Sequence, residues 1–250
     1  MNDDVNVSEL KLLIDIGNTR VKWQCSNMRT RVFVHGQSSV FLETDAWKQI
    51  QNPDVVYIVS VGMPTIGENI VRYAREHWGL TAHFLQTSET ACGVRNGYVQ
   101  PSQLGADRWM CLLGAWQRYR CPAFVVDVGS AVTIDLLGAD GVHEGGWIFP
   151  GPTQMLEGLL AQTAKINQHA DEVKDFWGRD TEHGVYNGVY FTVCAGINHL
   201  LKEAQKCLGY ELLPIITGGG AKICLPLLDV DYEIEKDLVF LGMNFLVADV

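Results

Sequence analysis

The chain has 250 residues, 47% hydrophobic and 19% charged, with a formal net charge of −10, and this balance allows one compact protein or two closely packed lobes while opposing any nucleic-acid backbone. No apolar run approaches the roughly 18 residues of a spanning helix, and the polar, acidic start from Met1 to Leu10 lacks the order of an export signal, so no membrane role is expected. Seven cysteines, an odd number without CxxC spacing, speak against a disulfide framework or a zinc site and for a cytoplasmic location.

The apolar run Leu10 to Ile14 leads into Asp15-Ile16-Gly17-Asn18-Thr19-Arg20-Val21-Lys22-Trp23, which reads as strand, tight turn, strand. Strands at about 31–35 and 55–61 then alternate with helical stretches around 45–50 and 64–78. A helix capped by Ser102 is predicted to run toward Arg120, with Trp109, Leu112, Leu113 and Trp116 on one buried face. The first pattern then recurs: Ala123 to Val126 leads into Asp127-Val128-Gly129-Ser130-Ala131-Val132-Thr133-Ile134-Asp135. Further on come a turn at 138–141, the run Gly145-Gly146-Trp147-Ile148-Phe149-Pro150-Gly151, and a helix over about 152–163. A long helix over about 185–208, a strand over 212–217, Gly218-Gly219-Gly220 and a last helix over about 236–247 complete the order. The fold class is α/β, with two related lobes, 1–120 and 121–250, meeting at a hinge near Cys121-Pro122 and facing one cleft.

The chain carries no GxxxxGK[ST] loop, GxGxxG, HExxH or GxSxG. The paired Asp-x-Gly turns instead suit phosphoryl transfer, which asks for positioning and charge neutralisation. Asp15 would hold Mg²⁺ directly or through water, Gly17, Asn18 and Thr19 would offer donors to phosphate oxygens, and Lys22 would add a point charge. Asp127 reads as a cation ligand and Ser130 as a hydroxyl donor in the second turn. A hairpin whose Asp only bonds its own turn amides has the same sequence. The run Thr217-Gly218-Gly219-Gly220-Ala221 would let a nucleotide lie against bare backbone, and a ligand-free helix entry fits it equally.

Five motifs in order, Asp15-x-Gly-Asn-Thr-x-x-Lys22, Gly105-Ala106-Asp107-Arg108-Trp109, Asp127-x-Gly-Ser-Ala-x-Thr-x-Asp135, Gly145-Gly146-x-Ile148-x-Pro150-Gly151 and Thr217-Gly218-Gly219, closely resemble the type III pantothenate kinases across nearly the whole chain. The resemblance implies two ribonuclease-H-like, actin-like lobes around an ATP cleft, and transfer of the γ-phosphoryl group of ATP to pantothenate, the first step of coenzyme A biosynthesis. It further implies that the stretch Asp15, Ile16, Gly17, Asn18, Thr19, Arg20, Val21 and Lys22, with Ser130, binds ATP. Asp107 is similar to the general base, Asp127 to the ligand of a monovalent cation (K⁺ or NH₄⁺), and Tyr98, Gly105, Ala106 and Arg108 to the lining of the pantothenate site. Thr181 is similar to a threonine reaching into the neighbouring subunit, which implies a homodimer. Ser130 stands where the family usually shows Thr, and the run from Glu182 to Gly188 departs from the common pattern; His183 reads as a solvated helix start, with a substrate neighbour as the alternative. A kinase for another small hydroxylated acid and a catalytically silent regulatory protein are the competing expectations.

Overall fold

The computed structural model describes residues 9–25, 29–35, 39–161, 173 and 175–249. Strand β1 (Lys11–Ile16) is buried along both faces from Leu12 onward, which marks a central strand and accounts for its unbroken apolar run. It pairs antiparallel with β2 (Arg20–Cys25) and parallel with β4 (Val55–Ser60). The edges are β3 (Arg31–Val34) and β5 (Ala82–Phe84), giving the order β3-β2-β1-β4-β5. Helices α1 (Asp45–Lys48) and α2 (Pro64–Tyr73) belong to this lobe, and a wider turn carries α2 on to Trp78.

A two-stranded ribbon of β6 (Thr90–Ala91) and β7 (Val94–Arg95) precedes α3 (Ala106–Tyr119). The second sheet then repeats the first strand for strand. Its members are β8 (Ala123–Val128), β9 (Ala131–Leu137), β10 (His143–Pro150), β11 (Leu213–Thr217) and β12 (Glu233–Ile234), in the order β10-β9-β8-β11-β12. Pairing is again antiparallel on one side of the central strand and parallel on the other. The helices of this half are α4 (Pro152–Ala161), α5 (Thr181–Leu208), α6 (Ala221–Cys224) and α7 (Leu238–Ala248). The two related halves expected from the repeated Asp-x-Gly segments are therefore present as two sheets of one topology.

Each sheet has its own core, and a third core lies between them. Trp23, Phe41 and Trp47 anchor the first, and α5 covers the second through Tyr190, Val193 and Ile197. The third joins α3 and α7 to Leu13 and Val59 of one sheet and to Val125, Leu137 and Ile215 of the other. Trp109, Leu112 and Leu113 are fully buried there and Trp116 nearly so, as the helical spacing predicts. Each such side chain contributes about 1.5–3 kcal/mol of burial free energy, so the helix that follows Gly105 is fixed against both halves. Near Cys121 the chain passes from α3 directly into β8, while α7 returns from the far end of the sequence to pack on α3.

Several expected boundaries differ. Ser102 does not cap α3: it lies inside a separate 3-10 turn, Pro101–Gln103, and Gly105 caps the helix without a side-chain bond. Proline fixes the backbone for that short turn, and the extended Leu104 separates it from α3. The long helix begins at Thr181, not near Val185, because Asp180 caps it by accepting a hydrogen bond from the His183 amide. Residues 162 and 163, the expected end of the helix after Pro152, lie outside the described residues.

Candidate active site

Three carboxylates come together where the sheets face each other. Asp15 is the next-to-last residue of β1, and register places Lys22 of β2 directly across from it, with Lys22 Nζ 3.5 Å from Asp15 Oδ2. Asp127 holds the equivalent place on β8, opposite Thr133 of β9 and beside Thr217 of β11. Asp107 enters from the first turn of α3. Burial pushes the Asp15 carboxyl from 3.8 up to about 6; Lys22 opposes that rise, and the charges of Asp107 and Asp127 add to it. Asp127 is raised by burial and by Asp107, against the pull of Lys22. Burial also raises Asp107, partly offset by the Arg108 amide and guanidinium. Burial alone would lower the Lys22 ammonium, yet Asp15 and Asp127 leave it raised, so it stays charged. Beneath them lies Cys111, one helical turn after Asp107, whose thiol is held up by burial and by all three carboxylates.

Backbone closes both turns. The Gly17 amide donates to the Arg20 carbonyl at 2.9 Å and the Gly129 amide to the Ala131 carbonyl at 3.0 Å, so Asp15 is left to face Lys22. The turns meet across the crevice, where Thr19 Oγ1 and Ser130 Oγ are 2.9 Å apart. Asn18, Thr19 and Arg20 are exposed at the lip, whereas Ile16 and Val21 are core. The strand-end glycines take up matching places: the amides of Val61 and Gly62 cap the Ile16 carbonyl, and Gly218 packs on the backbone of Val128. A side chain at Gly218 would overlap Asp127 Oδ1, and its φ of +93° suits only glycine. The Arg20 guanidinium reaches over Gly219 from the opposite half.

The acceptor-side residues sit around α3. Gly105 and Ala106 open the helix, and the Arg108 amide donates to Asp107 Oδ1 at 2.8 Å. Arg108 is buried rather than presented with an empty fork. Its Nε donates to Asp135 Oδ2 at 2.8 Å, its Nη2 to Asp135 Oδ1 at 2.6 Å, and its Nη1 to the Tyr98 hydroxyl at 2.9 Å. Sequence reasoning quoted Asp135 as the end of a motif without giving it a role, and passed over His143, whose Nε2 meets Asp135 Oδ1 at 2.8 Å. The available signal was Asp135 itself, the charged residue of β9. Thr181 lies exposed at the first position of α5, and His183, half-buried, has Nδ1 2.9 Å from Asp180.

Among the described residues, no three His, Cys, Asp or Glu side chains cluster closely enough to cage a metal ion on their own. The charge balance fits a hydrated Mg²⁺ shared with phosphate oxygens: Lys22 lies against Asp15 and Asp127, two buried or half-buried carboxylates, and Mg²⁺ is ordinarily held by one or two carboxylates, waters and phosphates.

A sequence profile of the type III pantothenate kinases matches residues 11–203. The chain belongs to the type III pantothenate kinase family. It is 33% identical over 249 residues to the type III pantothenate kinase of Nitrosococcus oceani, covering 95% of this chain and 94% of that one. It is also 33% identical over 251 residues to that of Methylibium petroleiphilum, covering 95% and 98%. Among solved structures, a Campylobacter jejuni protein described as a Baf family transcriptional activator superposes with a TM-score of 0.58 at 21% identity, over 95% of this chain and 97% of that one. The ADPNP-bound activator of 2-hydroxyisocaproyl-CoA dehydratase from Clostridium difficile gives 0.52 at 9% identity, over 96% and 94%. At such identities these likenesses establish the two-lobed fold alone. As a type III pantothenate kinase, the chain is an enzyme that phosphorylates pantothenate with ATP in coenzyme A biosynthesis.

Proposed function

We propose that Asp107 is the general base of this phosphoryl transfer. The observation that carries this reading is the convergence of Asp15, Asp107 and Asp127 with Lys22 beneath two facing turns. Asp107 takes the proton as the primary hydroxyl oxygen of pantothenate bonds to the γ-phosphorus, and the bond from that phosphorus to the β-phosphate oxygen breaks, releasing ADP. Its raised pKa strengthens it as a base. Asp15 through Lys22, with Ser130, hold the phosphates: the Thr19 and Ser130 hydroxyls and the turn amides donate to oxygens, and Lys22 supplies charge. Asp15 would hold Mg²⁺ through water, and Asp127 a monovalent cation (K⁺ or NH₄⁺); bound there, these ions would neutralise phosphate charge.

On the acceptor side, Tyr98, Gly105, Ala106 and Arg108 form the pantothenate site. Arg108 has five N–H donors, of which Asp135 and Tyr98 take three, leaving one on each terminal nitrogen for a carboxylate. The lobes, 1–120 and 121–250, close over the substrates, which limits loss of the phosphoryl group to water. A homodimer with Thr181 at the subunit contact is supported by Phe176 and Trp177, 66% and 69% exposed just ahead of α5. A cytoplasmic setting is supported by seven free cysteines.

The test is Asp107→Asn, which keeps an oxygen for the Arg108 amide. Phosphopantothenate formation, followed by mass spectrometry with ATP, Mg²⁺ and K⁺, is expected to fall by about 10²–10⁴ with the melting temperature little changed. Near-normal turnover would remove Asp107 from the base role.

A further inference from the structure

We infer that Asp135 and His143 are positioning residues for the acceptor, acting through Arg108; the inference rests on the reading of Arg108 as an acceptor-binding residue. Arg108, Asp135 and His143 are 6%, 2% and 0% exposed, so this is a buried ion pair with a buried imidazole behind it. Such pairs rarely add net stability over apolar side chains of the same size, so stability alone does not account for one beside the reacting groups.

Four side chains form a closed ring. Arg108 donates to both oxygens of Asp135 and to the Tyr98 hydroxyl. His143 bonds Asp135 through Nε2, and its ring stacks on Tyr98 at 5.5 Å between centroids and 20° between planes. Asp135 accepts both guanidinium bonds and His143 Nε2 lies within hydrogen-bond distance of the same carboxylate, while His143 Nδ1 is buried with no partner among the described residues. The imidazole is thus spent on one oxygen of one carboxylate. Every degree of freedom of the guanidinium is taken up by neighbours, while one N–H on each of Nη1 and Nη2 remains uncommitted.

The backbone is shaped for this ring. A bulge between His143 and Gly145 shifts the register of β10, and Gly146 falls opposite Asp135. A side chain at Gly146 would overlap the Ile134 carbonyl and lie 3.0 Å from Asp135 Oδ1. Glycine at 146 is therefore required by the close approach of the β9 backbone and leaves the Asp135 carboxylate uncrowded. The coupling extends to the chemistry, because the Arg108 amide is bonded to Asp107. Holding the Arg108 side chain fixes the first turn of α3 and, with it, the acceptor carboxylate relative to the base.

Steady-state kinetics of Asp135→Asn test the inference. The expected result is a rise of at least tenfold in KM for pantothenate with KM for ATP within twofold, measured on folded protein well below a melting temperature that the unpaired guanidinium lowers. His143→Phe, which keeps the stack on Tyr98 but lacks Nε2, is expected to raise the same KM at least threefold. Asp135→Asn and Arg108→Ala combined are expected to be no worse than Arg108→Ala alone, since both act through one guanidinium. If Asp135→Asn does not fold, Asp135→Glu keeps the buried charge, displaces the guanidinium by one methylene, and is expected to raise KM for pantothenate in the same way. An unchanged KM for pantothenate in the folded Asp135 variant, with Arg108→Ala raising it, overturns the inference and leaves the Arg108 reading intact. An unchanged KM in Arg108→Ala overturns both.

Discussion

Asp15→Asn should make the metal-free protein more stable, by an amount that depends on pH in a direction the site dictates. Asp15 is 6% exposed, and burial holds its carboxyl at about 6 instead of 3.8. A carboxyl raised in the folded state binds protons there more readily than in the unfolded chain, so its ionisation weakens the fold as pH rises from 3.8 through 6. Above that window both states are ionised, and the folded state carries a cost of about 3 kcal/mol. At a pH of about 4.5 the folded carboxyl is mostly protonated and the cost shrinks to about 1 kcal/mol. The neutral amide has no such dependence. Urea unfolding in the presence of a chelator should therefore show Asp15→Asn gaining about 2 kcal/mol relative to the wild type between pH ~4.5 and pH ~7.5. A difference that stays constant across that range, or grows toward acid, would show that Asp15 is not held against its neighbours in the way described.

Gly218→Ala should lower stability by at least about 2 kcal/mol, since the new methyl would meet Asp127 and the backbone sits at a φ of +93°. The same variant should raise KM for ATP more than KM for pantothenate, and equal effects on both would separate the glycine run from the nucleotide. Light scattering should give twice the chain mass for the wild type and a smaller mass for Trp177→Glu, whose parent side chain is exposed beside α5. A wild type that scatters as a single chain would rule out the subunit contact.

The parts of this fold that could be read from sequence are those set by local chemistry. An apolar strand ending in Asp-x-Gly states its own turn, and its recurrence at Asp15 and Asp127 carried the two-sheet topology with it. The buried stripe of α3 was legible for the same reason, as spacing within one helix. The environment of Arg108 was not. Its partner is 27 residues away on another element, a pairing that no local pattern announces. Ser102 resembles a helix cap, yet Pro101 committed it to a separate turn; Gly184 resembles a helix breaker, yet it lies within the first turn after the Asp180 cap.

The repeat also explains why the site is costly and why that cost is placed where it is. Two sheets of one topology, packed with their central strands facing a shared pair of helices, bring equivalent strand ends to one crevice, and each delivers a carboxylate. The third arrives on α3, the helix packed between them, so no small movement of one half can relieve all three charges. Lys22 answers only part of that charge, and burial first, then neighbouring carboxylates, hold Asp15, Asp107 and Asp127 above the usual carboxylate range. Ligands that bring positive charge or phosphate-bound cations would lower this stored free energy and so stabilise the folded protein. The Arg108–Asp135 pair, by contrast, is neutral as a unit and closed on itself, which suits a group that must keep its orientation while the charge beside it changes.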